Sequence, residues 1–553
     1  MILQLIGTLA LAYLSWSIVT LEINYRKAAS MGIPCVRLIV DPQNIAWLML
    51  ESHIWRILDR LPIDWGTFGK YARRERHFAD KASSHLRYGP AWALVTPVDI
   101  YVHVADTTAV NEIFSRRFDF QRPSKIYKVL ELYGPCISSA SYEHWPRHRK
   151  VLATPFSESI MTFVWNESVV QARQMLHIWT LQPIKVISSV AKDTRTLSLN
   201  VPASTGFGKS YKFYSANLNT ESTKDATSTD CNEALGYRDA LQTVLDNCIL
   251  LMVMSQRVLN LPFAPTSWRR VAHAAAAFKD YMVQMLDDEV ATLNTGESRS
   301  GSLMSSFVRA MERKQEQSMS REKARSPEGL TIDEIFGNIF VINFAGHDTT
   351  ANTLAFIMLL LAAYPDVQDW VTKELRTILP ADGEGEYKEM FSKLKRCRAV
   401  MSLKIGNGII VIPPNTGVMP SILAIHTNPD IWPDPLTWKP SRWITCTASD
   451  GDGNISKQLE REVFYTPPRS TYLPWSDGPH NCPGSKFSQV ECVAVLACLL
   501  RDNRISAVQA PGESCFEETR MRILATVDDV DQQMLLRMRD ADRVRLICNQ
   551  LNE

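Results

Sequence analysis

The chain has 553 residues, 45% of them hydrophobic and 9% aromatic, which is ample for a large globular core. Its 60 Lys and Arg against 59 Asp and Glu leave a net charge of +1, which excludes a nucleic-acid partner held by a basic surface. Eleven cysteines with no C-x-x-C pair exclude a disulfide scaffold or zinc module and fit a reducing, cytosol-facing compartment.

Residues 1–21 carry no charged side chain and include ten Leu, Ile or Val. At about 1.5 Å per residue such a segment spans the hydrocarbon core of a bilayer. Arg26 and Lys27 follow, which by the positive-inside rule puts the rest of the chain in the cytosol. The expected layout is a transmembrane anchor over 1–21, a linker over 22–46 broken by Pro34, and one large domain over 47–553. Trp47 to Tyr88 reads as helix, and the Val-rich run Ala93 to Ala105 as a pair of strands. Trp145 and Arg149 are four apart, so on a helix they share a face. An indole N–H and a guanidinium side by side can both donate to one carboxylate.

Tyr211 to Asn232 is polar and reads as a surface loop. Tyr237 to Leu293 reads as apolar helices, and Thr295 to Gly329 as a charged linker holding one helix. Thr331-Ile-Asp-Glu334 is a capping box that opens the longest helix, which stops at Tyr364-Pro365. Inside it lies Phe344-Ala-Gly-His-Asp-Thr-Thr350. Gly346 weakens the helix there, and a Thr hydroxyl can divert a backbone hydrogen bond and open a groove. A groove beside an acid and an alcohol suits a diatomic ligand that must be protonated. Asp366 to Leu379 and Tyr387 to Met401 continue as helices. Ser402 to Thr416 then reads as strand and turn, and the tail after Leu500 as strands and turns.

Trp475-Ser-Asp-Gly-Pro-His-Asn-Cys-Pro-Gly-Ser485 leads into an apolar helix. A thiolate just before a helix N-terminus is stabilised by the amide dipoles there. Gly478 and Gly484 let the backbone approach a flat ligand without a Cβ in the way. Such a loop can hold an iron porphyrin by one axial sulfur, that of Cys482. The bland alternative is an ordinary buried cysteine.

This loop resembles the heme-binding signature of the cytochrome P-450 family, F-x-x-G-x-R-x-C-x-G, with Trp475 for Phe and His480 for Arg. The other motifs fall in family order around it. The resemblance implies a mainly α-helical fold with a small β-sheet region behind a transmembrane helix, with 47–553 as a heme-thiolate monooxygenase domain. It implies heme b on Cys482, with Trp145, Arg149 and His480 toward the propionates. Ala345, Gly346, Trp475, Gly478 and Gly484 then lie against the cofactor. Asp348 supplies protons, and Thr349 holds the oxygen ligand for protonation. The implied reaction inserts one oxygen atom from O2 into a small apolar substrate. NADPH acts through a membrane reductase, and the protein sits in the endoplasmic reticulum facing the cytosol, where the sequons at Asn166 and Asn454 stay unused. The phrasing of C-R-A-V-M, A-G-H-D-T-T and P-S-R-W resembles fungal members acting on terpenoid or polyketide-like metabolites. A heme-thiolate isomerase or dehydratase that uses no O2 is the alternative enzyme.

One family element is absent. After Cys397-Arg-Ala-Val-Met401 the family has an E-x-x-R helix, but the chain passes straight to the later strand. E-x-x-R at Glu322–Arg325 and at Glu517–Arg520 is out of place. Arg442, in Pro440-Ser-Arg-Trp443, corresponds to the third member of the family's Glu-Arg-Arg triad. Without the first two it is expected to face the core unpaired, and a chain that holds no heme is a further alternative.

Overall fold

The computed structural model describes residues 2–123, 127–153, 156, 158–181, 186–187, 189–207, 211–213, 236–295, 303–319, 329–380, 385–400, 416–446, 454–532 and 535–551. The junction at Met401–Leu403, Glu322–Arg325 and most of the 211–232 loop lie outside them. The main helices, short turns aside, are α1 (Ile2–Ala29), α2 (Ile45–Leu58), α3 (Arg76–Asp80), α4 (Trp145–Ala153), α5 (Glu158–Leu181) and α6 (Val190–Phe207). They continue as α7 (Tyr237–Asp246), α8 (Thr266–Asn294), α9 (Leu303–Met319), α10 (Ile332–Ala363), α11 (Pro365–Ile378) and α12 (Lys395–Ala399). The last three are α13 (Ile422–Thr427), α14 (Ser485–Leu500) and α15 (Phe516–Asp528).

The spine is α10, at 32 residues the longest described helix. Its start is set by the expected box: the Thr331 hydroxyl accepts from Glu334 N, and the Glu334 carboxylate takes the Thr331 N–H at 2.9 Å. That satisfies two of the four amides left open at a helix start. Pro365 ends it, because the residue before a proline is pushed out of helical geometry, and begins α11 at a tight corner. Residues on nearly every side of α10 are buried, so it runs through the core rather than over it. Its C-terminal half packs with α5, α11 and α14, and its N-terminal half with α7, α8 and α9. Gly337 admits a crossing that any side chain would block, since a Cβ there would lie 2.2 Å from the Gly134 carbonyl oxygen.

A four-stranded sheet flanks this body. Strands β1 (Cys35–Arg37), β2 (Ala91–Val95), β3 (Ile100–Val104) and β5 (Gly417–Pro420) lie in the order β1-β2-β3-β5. The expected strand pair is β2 and β3, antiparallel with Ala93 opposite Val102, while β1 and β5 add in parallel at the two edges. Smaller sheets join β4 (Val186–Ile187), β11 (Leu546–Gln550) and β8 (Asn503–Ala507), then β6 (Ile444–Cys446) with β7 (Glu462–Phe464), and β9 (Val530–Gln532) with β10 (Leu536–Met538). The fold is mainly helical with small sheets, as expected.

The first helix is longer than the expected anchor and runs through the start of the 22–46 stretch, and β1 of that stretch joins the sheet. Its C-terminal end is docked, with Ala28 fully buried and Asn24 donating to the Thr96 carbonyl at 3.0 Å. Leu11, Leu14, Ile18 and Val19 project exposed. Among the described residues no single helix is long and apolar enough to cross a membrane.

Two expectations are corrected. The tail holds α15 as well as strands, because two of the three residues in its buried stripe, Thr519, Ile523 and Thr526, are threonine, which masks the helical period. Arg442 does not face the core unpaired. It is part-exposed and donates to the carbonyls of Pro433, Asp434 and Thr437 at 2.9, 3.0 and 3.1 Å, with its guanidinium over Trp432. An arginine that is enclosed in the core is Arg396 of α12, fully buried and paired with Glu462 of β7. Its Nε lies 3.0 Å from a Glu462 oxygen, and its Nη1 donates to the Trp370 carbonyl at 3.0 Å. Glu517–Arg520 is a surface pair one turn apart on α15.

Candidate active site

The loop before α14 is a stack of tight turns. Ser476 and Gly478 take positive φ, 62° and 68°. At Gly478 a Cβ would meet the Phe114 carbonyl oxygen at 2.7 Å. The turns bring Cys482 N to within 2.9 Å of the Trp475 carbonyl and Asn481 N to within 3.1 Å of the Gly478 carbonyl. Trp475 brings an indole N–H that Phe lacks, and Ser488 of α14 takes it at 3.0 Å, which clips the loop to the helix. Farther back, Leu473 N donates to His426 Nε2 of α13 at 3.0 Å.

Above this loop a cavity of about 820 Å3 separates α14 from α10. Cys482 lies on one wall and Ala345, Thr349 and Thr350 on the other. An adjoining chamber of about 190 Å3 is bounded by Gly346, Gly484 and Phe487. A Cβ added at Gly346 would meet nothing within 4 Å, so α10 is bare where a flat ligand would lie. Burial pushes the Cys482 thiol up, while the Gly484 N–H and the Arg149 guanidinium pull the other way. A helix N-terminus, a nearby cation or a bound metal is what favours the thiolate of such a buried thiol.

Trp145, Arg149 and His480 meet at one edge of the cavity. The Trp145 and His480 rings are 4.3 Å apart. Arg149 donates to the Asn481 carbonyl at 2.9 Å, and Arg122 to the His480 carbonyl at 3.1 Å. Burial, then Arg122, Arg149 and Arg117, push the His480 imidazole down to about 4, and its Nδ1 has no partner among the described residues. A rim of two guanidiniums, an indole and a neutral imidazole suits the carboxylate edge of a flat cofactor. Arg122 was not legible because it sits in no motif, and Asn481 because it fills a variable position of the heme-loop signature.

Helix α4 holds its position through residues that the Trp145–Arg149 reading passed over. Arg147 Nη1 meets Glu334 of α10 at 2.6 Å, and Asn338 Nδ2 lies 2.9 Å from His148 Nδ1. Burial works against the Glu334 charge, but hydrogen bonds from His148, Arg147 and the Thr331 N–H hold its carboxyl well below the usual range.

Thr349 and Asp348 point to different neighbours. Thr349 lines both chambers, and its hydroxyl donates to the Ala345 carbonyl at 2.7 Å. Asp348 is not on the cavity wall. Its carboxylate lies 3.3 Å from Arg195 Nε on α6 and 3.6 Å from Nδ1 of the buried His347. The geometry therefore brings together nine of the twelve expected residues and leaves three apart: Gly478 behind the loop, Asp348 one step around the helix, and Arg442 in its own loop.

Fold and cavity together define a helical protein built to hold a flat, carboxylate-edged cofactor beside one cysteine. Residues 60–402 and 391–525 match the model of the cytochrome P450 family, and the chain belongs to that family, whose heme iron is held by a cysteine thiolate. It is an oxygen-incorporating oxidoreductase by that membership. The match comes in two stretches that overlap at 391–402. A cytochrome P450 monooxygenase of Arthrobotrys oligospora is 27% identical over 89% of both chains. The phomenoic acid biosynthesis cluster cytochrome P450 monooxygenase of Leptosphaeria maculans is 25% identical over 89% of this chain and 90% of its own. The crystal structure of the cytochrome P450DA heme domain superposes with a TM-score of 0.60 at 17% identity, over 88% of this chain and 95% of that one, which speaks for the fold.

Proposed function

We propose that the protein is a heme-thiolate monooxygenase that inserts one oxygen atom from O2 into a small apolar molecule of fungal secondary metabolism. The observation that carries the reading is the cavity with Cys482 on one wall, Thr349 on the other, and Trp145, Arg149 and His480 at its edge. In this reading Cys482 ligates the iron, and Trp145, Arg149, Arg122 and His480 hold the propionates. Bound heme supplies the oxidising chemistry of the iron centre, with the thiolate pushing electron density onto it. Ala345 and Gly346 leave room over the macrocycle. Trp475, Gly478 and Gly484 set the loop at the depth that the sulfur needs. Thr349 holds a proton at its Oγ1 on the cavity wall, and Asp348, whose carboxylate lies 3.3 Å from Arg195 Nε, is the group that relays protons toward it.

Electrons come from NADPH through a membrane reductase. The exposed apolar side chains of α1 anchor the domain to the cytosolic face of the endoplasmic reticulum. The relative from the phomenoic acid biosynthesis cluster supports a place in a fungal biosynthetic pathway, with a terpenoid or polyketide-like substrate. The test is a carbon monoxide difference spectrum of the reduced, membrane-bound chain. A strongly red-shifted Soret band supports the thiolate reading, and its loss in Cys482→Ser assigns the ligand. A second reading, a chain that holds no heme, is favoured by the split of the family match into two stretches that overlap at 391–402, and absence of bound heme selects it.

A further inference from the structure

A separate cavity of about 220 Å3 lies where α3 and α13 meet the sheet. Its wall carries Arg76, His77, Lys81, His85 and His103 and one acid, Asp80. Asp80 is already engaged, 2.8 Å from Lys70 Nζ and accepting the Ser84 hydroxyl at 2.9 Å. Lys81 is drawn toward Asp528 at 3.5 Å. His85 Nδ1 is 3.1 Å from the Gly89 carbonyl. Burial pushes the His77 imidazole down to about 3, and that of His103 is also well below its usual value, so both are neutral. His103 stacks flat on Trp92, with centroids 4.4 Å apart.

Arg76 is left over. It is 9% exposed, its Nε has no hydrogen-bond partner, and no carboxylate lies within ion-pair distance among the described residues. The acids nearest to it are committed elsewhere. Asp41 accepts the Tyr101 hydroxyl at 3.1 Å and the Gln43 amide at 2.8 Å. Glu51 holds Arg74, with Nε at 2.9 Å and N at 3.0 Å. A guanidinium cannot shed its proton, so an enclosed one without a counter-ion is strongly unfavourable, and an anion in the cavity would complete it. Ile422 and Leu423 line both this cavity and the one above Cys482, so two aliphatic side chains form the wall between the two chambers.

We propose that this cavity docks the carboxylate of an otherwise apolar acid substrate, with Arg76 gripping it through two parallel hydrogen bonds while the apolar body passes Ile422 and Leu423 toward Cys482. The proposal rests on the monooxygenase reading and narrows its substrate class to organic acids. A flat guanidinium matches a carboxylate in geometry, and two neutral imidazoles beside it each add a ring N–H without adding charge.

The test is equilibrium binding of radiolabelled dodecanoate and of its methyl ester to the full-length protein, wild type and Arg76→Gln, with the reduced carbon monoxide spectrum recorded for each. The expected result is dodecanoate bound roughly tenfold or more tighter than the ester, a preference abolished in Arg76→Gln and partly kept in Arg76→Lys, with the Soret band unchanged. Equal affinity for acid and ester, no saturable dodecanoate binding, or an unchanged preference in Arg76→Gln overturns the proposal. Loss of heme in Arg76→Gln also overturns it, by assigning the guanidinium to a cofactor propionate. If the wild type shows no Soret band, the monooxygenase reading fails by itself, and the dodecanoate measurement still decides the anion site.

Discussion

Replacing Glu491 with Gln is expected to stabilise the protein, by an amount that grows with pH. Glu491 sits in the middle of α14, fully buried, with no hydrogen-bond partner of normal geometry for either oxygen. Burial pushes its carboxyl up to about 8, and the facing Ser198 hydroxyl of α6 offsets this only in part. The folded chain thus keeps a proton that the unfolded chain gives up near the ordinary glutamate value of 4.5. Stability therefore falls as pH rises from the unfolded value toward the folded one, and is flat outside that window. At neutral pH the gap of about 2.5 units, at 1.36 kcal/mol each, makes the cost about 3 kcal/mol. Gln has the shape of the neutral acid and nothing to titrate. With an unfolding entropy of roughly 2 cal/mol/K per residue, about 3 kcal/mol is about 3 °C in a chain of this length. Melting temperatures of Glu491→Gln and wild type should nearly coincide at about pH 5 and diverge by about 3 °C or more near pH 8. A difference that is the same at both ends of that range would refute a buried, unpartnered carboxyl.

Glu462→Ala strands the Arg396 guanidinium in the core and should cost about 3–5 kcal/mol in urea unfolding, most of it recovered in Arg396→Met/Glu462→Leu; equal losses in both variants would show that the pair is not the cause. Gly478→Ala must hold φ 68° and press on the Phe114 carbonyl, a strain of about 1–3 kcal/mol in the loop, so the ratio of bound heme to protein should fall; an unaltered ratio would mean that the loop relaxes freely. Glu334 is held below the usual carboxylate range, so its contribution is complete above its unfolded value of 4.5 and is lost as pH falls further. Arg147→Met should therefore weaken the protein at neutral pH and flatten the acid limb of its stability curve, whereas an unchanged acid limb would remove Glu334 from the account.

What the sequence made legible was local chemistry. The Thr331–Glu334 box, the Tyr364-Pro365 stop and the β2–β3 pair each follow from a few adjacent residues, and each is where the pattern puts it. Residues 150–210 received no element, although α5 and α6 fill most of that stretch. Cavity residues in motifs were found because spacing along one helix or loop brings them together. Arg122, Asn481, Arg147 and His148 escaped because their partners are remote in sequence: Arg122 and Arg149 reach His480 and Asn481 across more than 300 residues, and Arg147 and His148 reach α10. The displacement of Asp348 from the cavity has the same origin. Adjacent helix positions differ by about 100° of rotation, and only the presence of Arg195 on α6 says which of the pair faces away.

The treatment of Arg442 bears on whether the shortened chain can carry its cofactor. A guanidinium forced into the core without its Glu and Arg would strain the segment leading to the heme loop. Instead Arg442 closes on three carbonyls of its own loop, and the enclosed charge lies one element away, in the Arg396–Glu462 pair. That pair ties α12 to β7, and β7 runs on toward the Cys482 loop. The loop itself is held by His426 behind, Ser488 below and Arg122 and Arg149 at the side. None of these contacts passes through the missing helix. The expected outcome is that the chain binds heme through Cys482 as written, and that Glu462→Ala lowers heme content more than Arg442→Ala does. The reverse order would mean that Arg442 still holds the site and that the lost E-x-x-R helix is what it lacks.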